Sequence, residues 1–168
     1  WLTFARKLIG VREIKGPRHS PTIMGWINAM GAKVLGITVQ DDETAWCGTF
    51  VAHVMTACDF HTRHRDTGKN IIAVRAKAWL DWGRILLGPR LGCVMVFDRA
   101  GGGHVGFYVG EDRSHFHILG GNQGNAVSIM RLEKSRCVGM RWPFGPDLPP
   151  VKRVNLDASG APASGDEA

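Results

Sequence analysis

The chain has 168 residues, 44% hydrophobic and 21% charged, which suffices for one buried core and leaves no apolar run near the ~18 residues of a membrane-spanning helix. A net charge of +6 favours an anionic partner, yet the basic residues are dispersed and no aromatic-basic run offers a base-stacking platform. Nucleic acid is therefore set aside, and an anionic envelope surface suits the charge better.

Residues 1–9 carry Leu2, Ala5, Leu8 and Ile9 at helical spacing, and Gly10 ends the run. Trp1 already stands within that pattern, which implies a native start upstream. Val11 to Pro17 must be an extended connector, because Gly16-Pro17 breaks a helix. Ser20-Pro21 opens a second helix, a capping serine before a proline at the first helical position. Its buried stripe is Ile23, Ile27 and Met30, and Gly31 is its expected end. A loop leads into Asp41-Asp42-Glu43-Thr44-Ala45-Trp46-Cys47, where Thr44 is the predicted N-cap of a third helix. Ala45, Trp46 and Cys47 then take the first three helical positions, and Phe50, Val51, Val54, Met55 and Cys58 form the apolar face. His61 to Asn70 reads as a basic surface loop, and Ile71 to Trp82 as a further helix closed by Gly83.

From Cys93 the pattern changes to short β runs: Cys93–Phe97, His104–Gly110, His115–Gly121, Ala126–Leu132 and Val138–Trp142. Gly101-Gly102-Gly103 and Glu111-Asp112-Arg113-Ser114 are the turns between the first three. Helices followed by a sequential antiparallel sheet define an α+β domain. That domain is expected to fill residues 1–150. Residues 151–168, rich in Ala, Ser, Gly and Pro after Pro149-Pro150, are expected to be a flexible tail.

The four cysteines form no CxxC pair, and Cys58, Cys93 and Cys137 lie in apolar contexts that read as buried free thiols. Cys47 differs. At a helix start, unpaired N–H groups and the helix dipole favour a thiolate, the reactive form of cysteine. A nucleophilic cysteine also needs a base within reach and a third group to orient that base. His104 follows three glycines and begins an apolar strand, which places it at a sheet edge. The next strand ends in Gly120-Gly121-Asn122-Gln123, and an antiparallel meander returns that end to the start of its neighbour. Asn122 or Gln123 therefore meets the imidazole, completing a Cys–His–amide arrangement.

Asp42-Glu43-Thr44-Ala45-Trp46-Cys47, Gly103-His104-Val105-Gly106-Phe107-Tyr108-Val109-Gly110 and Leu119-Gly120-Gly121-Asn122-Gln123 resemble the core motifs of a phage and bacterial branch of the NlpC-type and CHAP cysteine hydrolases. Leu8 to Gly16, Trp79-Leu80-Asp81-Trp82-Gly83 and Lys134-Ser135-Arg136 with Gly139 are similar to the same branch, so the resemblance runs over residues 1–145. It implies a papain-like fold, with N-terminal helices on a five- to six-stranded antiparallel sheet. It also implies cleavage of amide bonds in bacterial peptidoglycan, by a phage endolysin or tail-associated lysin. By that resemblance Cys47 is the nucleophile, His104 the base and Asn122 the orienting residue, while Trp46 and Gln123 contact substrate. The protein would be a monomer made in the host cytoplasm and acting at the cell wall, or carried on the virion. The chain departs from the branch at Ala45, where proline is usual, and at Cys93, where an acid is common.

No cofactor or metal is expected. Cys58-x-x-His61-x-x-His64 lacks a fourth ligand, and His115 and His117 have no acid or cysteine spaced to join them. Asp41, Asp42 and Glu43 are read as complements to the helix dipole, with calcium binding as the lesser reading. Two other functions compete: a catalytically idle wall-binding or virion domain, and an amidase toxin delivered to rival bacteria.

Overall fold

The computed structural model describes residues 1–151 and 153–160. Its three α-helices among these residues are α1 (Leu2–Lys7), α2 (Pro21–Leu35) and α3 (Cys47–Ala57). Six strands follow: β1 (Arg84–Ile85), β2 (Val94–Arg99), β3 (Gly102–Glu111), β4 (His115–Gly120), β5 (Ser128–Glu133) and β6 (Cys137–Trp142). The architecture is α+β, with one antiparallel sheet in the order β1-β6-β2-β3-β4-β5. Strands β2 to β5 form the expected sequential ladder. β6 then returns to the far side of β2, pairing Met95 with Met140. No helix among the described residues is long and apolar enough to cross a membrane.

Side chains alternate along each strand and so bury on both faces of the sheet. Val94, Val96, Val105, Phe107 and Leu119 pack with α2 and α3 in the larger core. Met95, Phe97, Tyr108, Phe116 and Ile118 form a second core on the opposite face. Within the larger core, Phe50, Val51, Val54 and Met55 of α3 are fully buried, which is the face their spacing predicts.

Four elements differ from the sequence reading. α2 does not end at Gly31 but kinks there, at φ 55°, and resumes to Leu35, which is wholly buried; Gly36 then closes it in the left-handed region. α3 begins at Cys47 itself, with Trp46 as N-cap, because Asp41 Oδ1 takes the Thr44 N–H in a turn of its own. Ile71 to Trp82 yields only a 3₁₀ helix over Ala76–Asp81. The preceding Ala73 and Val74 are instead pressed against the start of α3, where a Cβ on Gly48 would lie 2.3 Å from the Ala73 carbonyl oxygen. The expected flexible tail from 151 is ordered where it is described. Glu111 N–H donates to Val154 O, and Leu156 N–H to Glu111 O, so residues 154–156 run beside the end of β3. Gly110 makes room for Leu156, whose Cδ1 would be 2.3 Å from a Cβ there. The rest of the predicted tail, Lys152 and residues 161–168, lies outside the described residues.

A candidate cysteine–histidine active site

The N-terminal connector assembles the site. Gly10 N–H donates to Val127 O, Val127 N–H to Val11 O, and Glu13 N–H to Asn125 O, which stitches the connector to the segment after Gln123. Ile14 N–H and Ser20 N–H donate to Asp42 Oδ2 at 3.0 and 2.7 Å, and His19 Nδ1 meets Asp42 Oδ1 at 2.8 Å. Gly16 N–H donates to Glu43 Oε1. Burial alone would raise the Asp42 carboxyl, but these hydrogen bonds outweigh it and hold the group below its ordinary range. Asp42 and Glu43 thus hold the connector while Asp41 closes the turn at Thr44, and among the described residues no cluster of three metal-ligating side chains forms. The connector's ties reach both the loop before Cys47 and the loop that carries Gln123. Sequence reasoning gave these acids no such role; their only signal was three consecutive acids facing a connector that no helix could use.

Cys47 is the first residue of α3 and is almost fully buried, with its remaining surface opening on a cleft of about 420 Å³. Burial pushes its thiol pKa up, against the backbone N–H groups of Val105 and Gly48 that face the sulfur and favour its anion. Val105 follows His104 in β3, so the thiol lies against the strand that carries the histidine. Thiol and imidazole form no hydrogen bond to each other among the described residues. Contacts of this kind are often long without substrate and tighten in the complex.

His104 is buried, and its Nε2 stands 3.0 Å from Gln123 Oε1. The Gln123 amide is held the right way round, because its Nε2 donates to Ile118 O at 3.2 Å and to Ser128 O at 2.6 Å. Oε1 can only accept, so His104 Nε2 carries the proton and Nδ1 keeps its lone pair. Burial depresses the imidazole pKa to about 4, partly offset by the Gln123 bond and reinforced by the charges of Arg99 and Arg136. Gly120 makes this approach feasible: a Cβ there would be 2.9 Å from Gln123 Oε1 and 3.1 Å from His104 Nε2.

Three expected roles are corrected. The amide on His104 belongs to Gln123, not Asn122; Asn122 is half-buried in the left-handed region at φ 57° and serves the turn. Gln123 is accordingly a buried partner of the His104 imidazole and does not line the cleft at Cys47. Trp46, the other expected substrate contact, does not line the cleft at Cys47 either. It is 1% exposed, donates from Nε1 to Glu13 Oε2 at 3.0 Å, and packs under Gly121, where a Cβ would lie 2.6 Å from its ring. It anchors the loop that carries Gln123 to the start of α3.

The remaining candidates stay outside the site. His64 Nδ1 accepts from Asp66 N–H, and the backbone carbonyl of His61 accepts from Trp82 Nε1. His53 stacks on Trp26 at 4.7 Å, and Trp79 and Trp82 are buried. His117 Nε2 meets Asp112 Oδ2 at 3.0 Å, which also accepts from Arg131. His117 and Arg131 line a concavity of about 640 Å³ beside residues 154–160, and among the described residues no cysteine lines it. The smaller cleft at Cys47 is the candidate site.

No protein-family model matches the chain, and no curated protein is significantly similar to it.

Proposed function

We propose that the protein is a papain-like cysteine hydrolase of peptidoglycan, a peptidase or amidase of the phage endolysin or tail-associated type, acting at the bacterial cell wall. The observation that carries this reading is the His104–Gln123 pair, whose amide orientation leaves Nδ1 as the free base on the strand that faces the Cys47 thiol. The motif resemblance supplies the substrate class, and the net charge of +6 supports attraction to an anionic wall.

In the mechanism, His104 Nδ1 takes the Cys47 thiol proton as sulfur attacks the scissile carbonyl carbon. The oxyanion that forms faces the free N–H groups at the start of α3, Cys47 N–H among them. His104 returns the proton to the leaving amine as the C–N bond breaks. Water, deprotonated by the same Nδ1, then adds to the acyl carbon, and the proton passes from Nδ1 to the Cys47 sulfur as the C–S bond breaks and the acid leaves. Gln123 accepts from Nε2–H throughout and holds the ring in the useful tautomer.

Incubating purified peptidoglycan with the wild-type protein should release fragments that mass spectrometry identifies by one new amine and one new carboxyl end. Cys47→Ala should release none; lysis by that variant at about a tenth of wild type or more would overturn the assignment. The idle-domain reading draws on one observation, the absence of a thiol–imidazole hydrogen bond. It predicts no fragments from the wild type and retained binding to the wall. A toxin delivered to rival bacteria would share the chemistry and the same fragments.

A further inference from the structure

Resting on the hydrolase reading above, we propose that Arg99 is a specificity residue that binds a carboxylate beside the scissile amide, so that the cleft takes acidic stem peptides and disfavours their amidated forms. The cleft that exposes Cys47 is bordered by Arg75, Lys77 and Arg99, and among the described residues no acidic side chain lines it. Lys77 is already committed, with Nζ 2.7 Å from Asp98 Oδ1. The exposed Arg99 side chain has no ion pair or hydrogen bond among the described residues. Its backbone is fixed, because Arg99 pairs with Gly102 as the last rung of the β2–β3 hairpin. The guanidinium therefore projects from a defined point on the rim of the nucleophile's own cleft. Its charge is also felt at both Cys47 and His104, which places it within electrostatic reach of the reacting atoms.

The opposite partner follows from chemistry. A guanidinium presents a planar fork of donors that a carboxylate accepts two at a time, and an amide cannot reproduce that pairing. The adjoining wall is Gly101 and Gly102, where nothing stands within 4 Å of a would-be Cβ. A peptide chain can thus lie against bare backbone there, with one acidic group turned towards Arg99.

The full chain is assayed on a purified muropeptide and on the same muropeptide amidated with carbodiimide and ammonia. Wild type should cleave the free-acid form with a kcat/KM about tenfold or more above the amidated form, as expected for one charge-assisted pair. Arg99→Gln should lose that preference, chiefly through a raised KM on the free acid, and Arg99→Lys should restore part of it. Equal cleavage of both forms by wild type, or a preference that survives in Arg99→Gln, overturns the role of Arg99 and leaves the hydrolase standing. Cleavage of neither form by wild type overturns both. Thermal melting of the variants checks that this exposed substitution leaves the fold unchanged.

Discussion

With the Cys47 thiol raised by burial and the His104 imidazole lowered to about 4, the resting pair carries no charge at neutral pH. That differs from the thiolate at mildly acidic pH expected of a cysteine at a helix start: burial outweighs the dipole, worth about 2 kcal/mol at most. The sign is clear for a thiol raised above its ordinary 9.0. Iodoacetamide should label Cys47 very slowly at pH 6 and faster only as the pH rises through and beyond 9, as followed by intact-mass spectrometry. Fast labelling at pH 6 would instead reveal an ion pair. His104, a base with a depressed pKa, should stay neutral down to about pH 4, so the acid limb of kcat/KM should lie near 4 and not near 6.5. Gln123→Ala should slow turnover at least about tenfold and destabilise the fold by roughly 1–3 kcal/mol, because it strands the buried Nε2–H of His104. Asn122→Ala should leave turnover near wild type and lose about 1 kcal/mol of stability through its left-handed backbone. Both differences are read from steady-state kinetics and chemical denaturation. The placement of Cys47 at a helix start and of His104 near the head of β3 was legible from the apolar spacing after the one and the three glycines before the other. The choice between Asn122 and Gln123 was not, since a tight turn sets which amide faces the ring.

At the scale of elements, the position of α3 depends on close packing at its first turn. Gly48→Ala would put a methyl group 2.3 Å from Ala73 O and 2.4 Å from Val74 O, both of them main chain and unable to swing aside. The expected result is a loss of about 1–3 kcal/mol or more, with lysis falling further than stability because Cys47 moves with the helix start. Thermal melting and lysis measured side by side would check it; a melt and activity equal to wild type would show that the Ala73–Val74 segment yields freely. The apolar face of α3 and the β2 to β5 ladder follow directly from spacing and turn residues in the sequence. The return of β6 to β2 does not, because pairing between distant strands leaves no local pattern. The two-residue β1 is too short to carry any period, and the 71–82 helix lost to tertiary packing, with Trp79 Nε1 donating back to Ala73 O at 2.9 Å.

For the whole molecule, residues 153–156 belong to the folded body. Glu111 is buried, accepts from Tyr108 Oη at 3.2 Å and pairs with Lys134, and Arg153 adds a further charge contact at 3.6 Å. A chain ending at Pro150 loses two backbone hydrogen bonds and the Leu156 cover over Gly110. It should melt about 4–8 °C lower, the shift expected for a loss of about 2 kcal/mol in a chain of this size. A melt within a degree of the full chain would show that this strand contributes nothing. Burial of Cys47 also governs how the protein ages outside a reducing cytoplasm. Peroxide attacks thiolates, and a neutral, enclosed thiol offers little of that form. Cys93 is likewise enclosed, with its thiol pushed up to about 12, and no disulfide links the four cysteines. The molecule should therefore keep Cys47 as a free thiol in storage and in aerated medium without a protective bridge. Dimedone trapping after brief peroxide exposure should show far less sulfenic acid at Cys47 than at the half-exposed Cys58, and the protein so treated should still lyse cell walls.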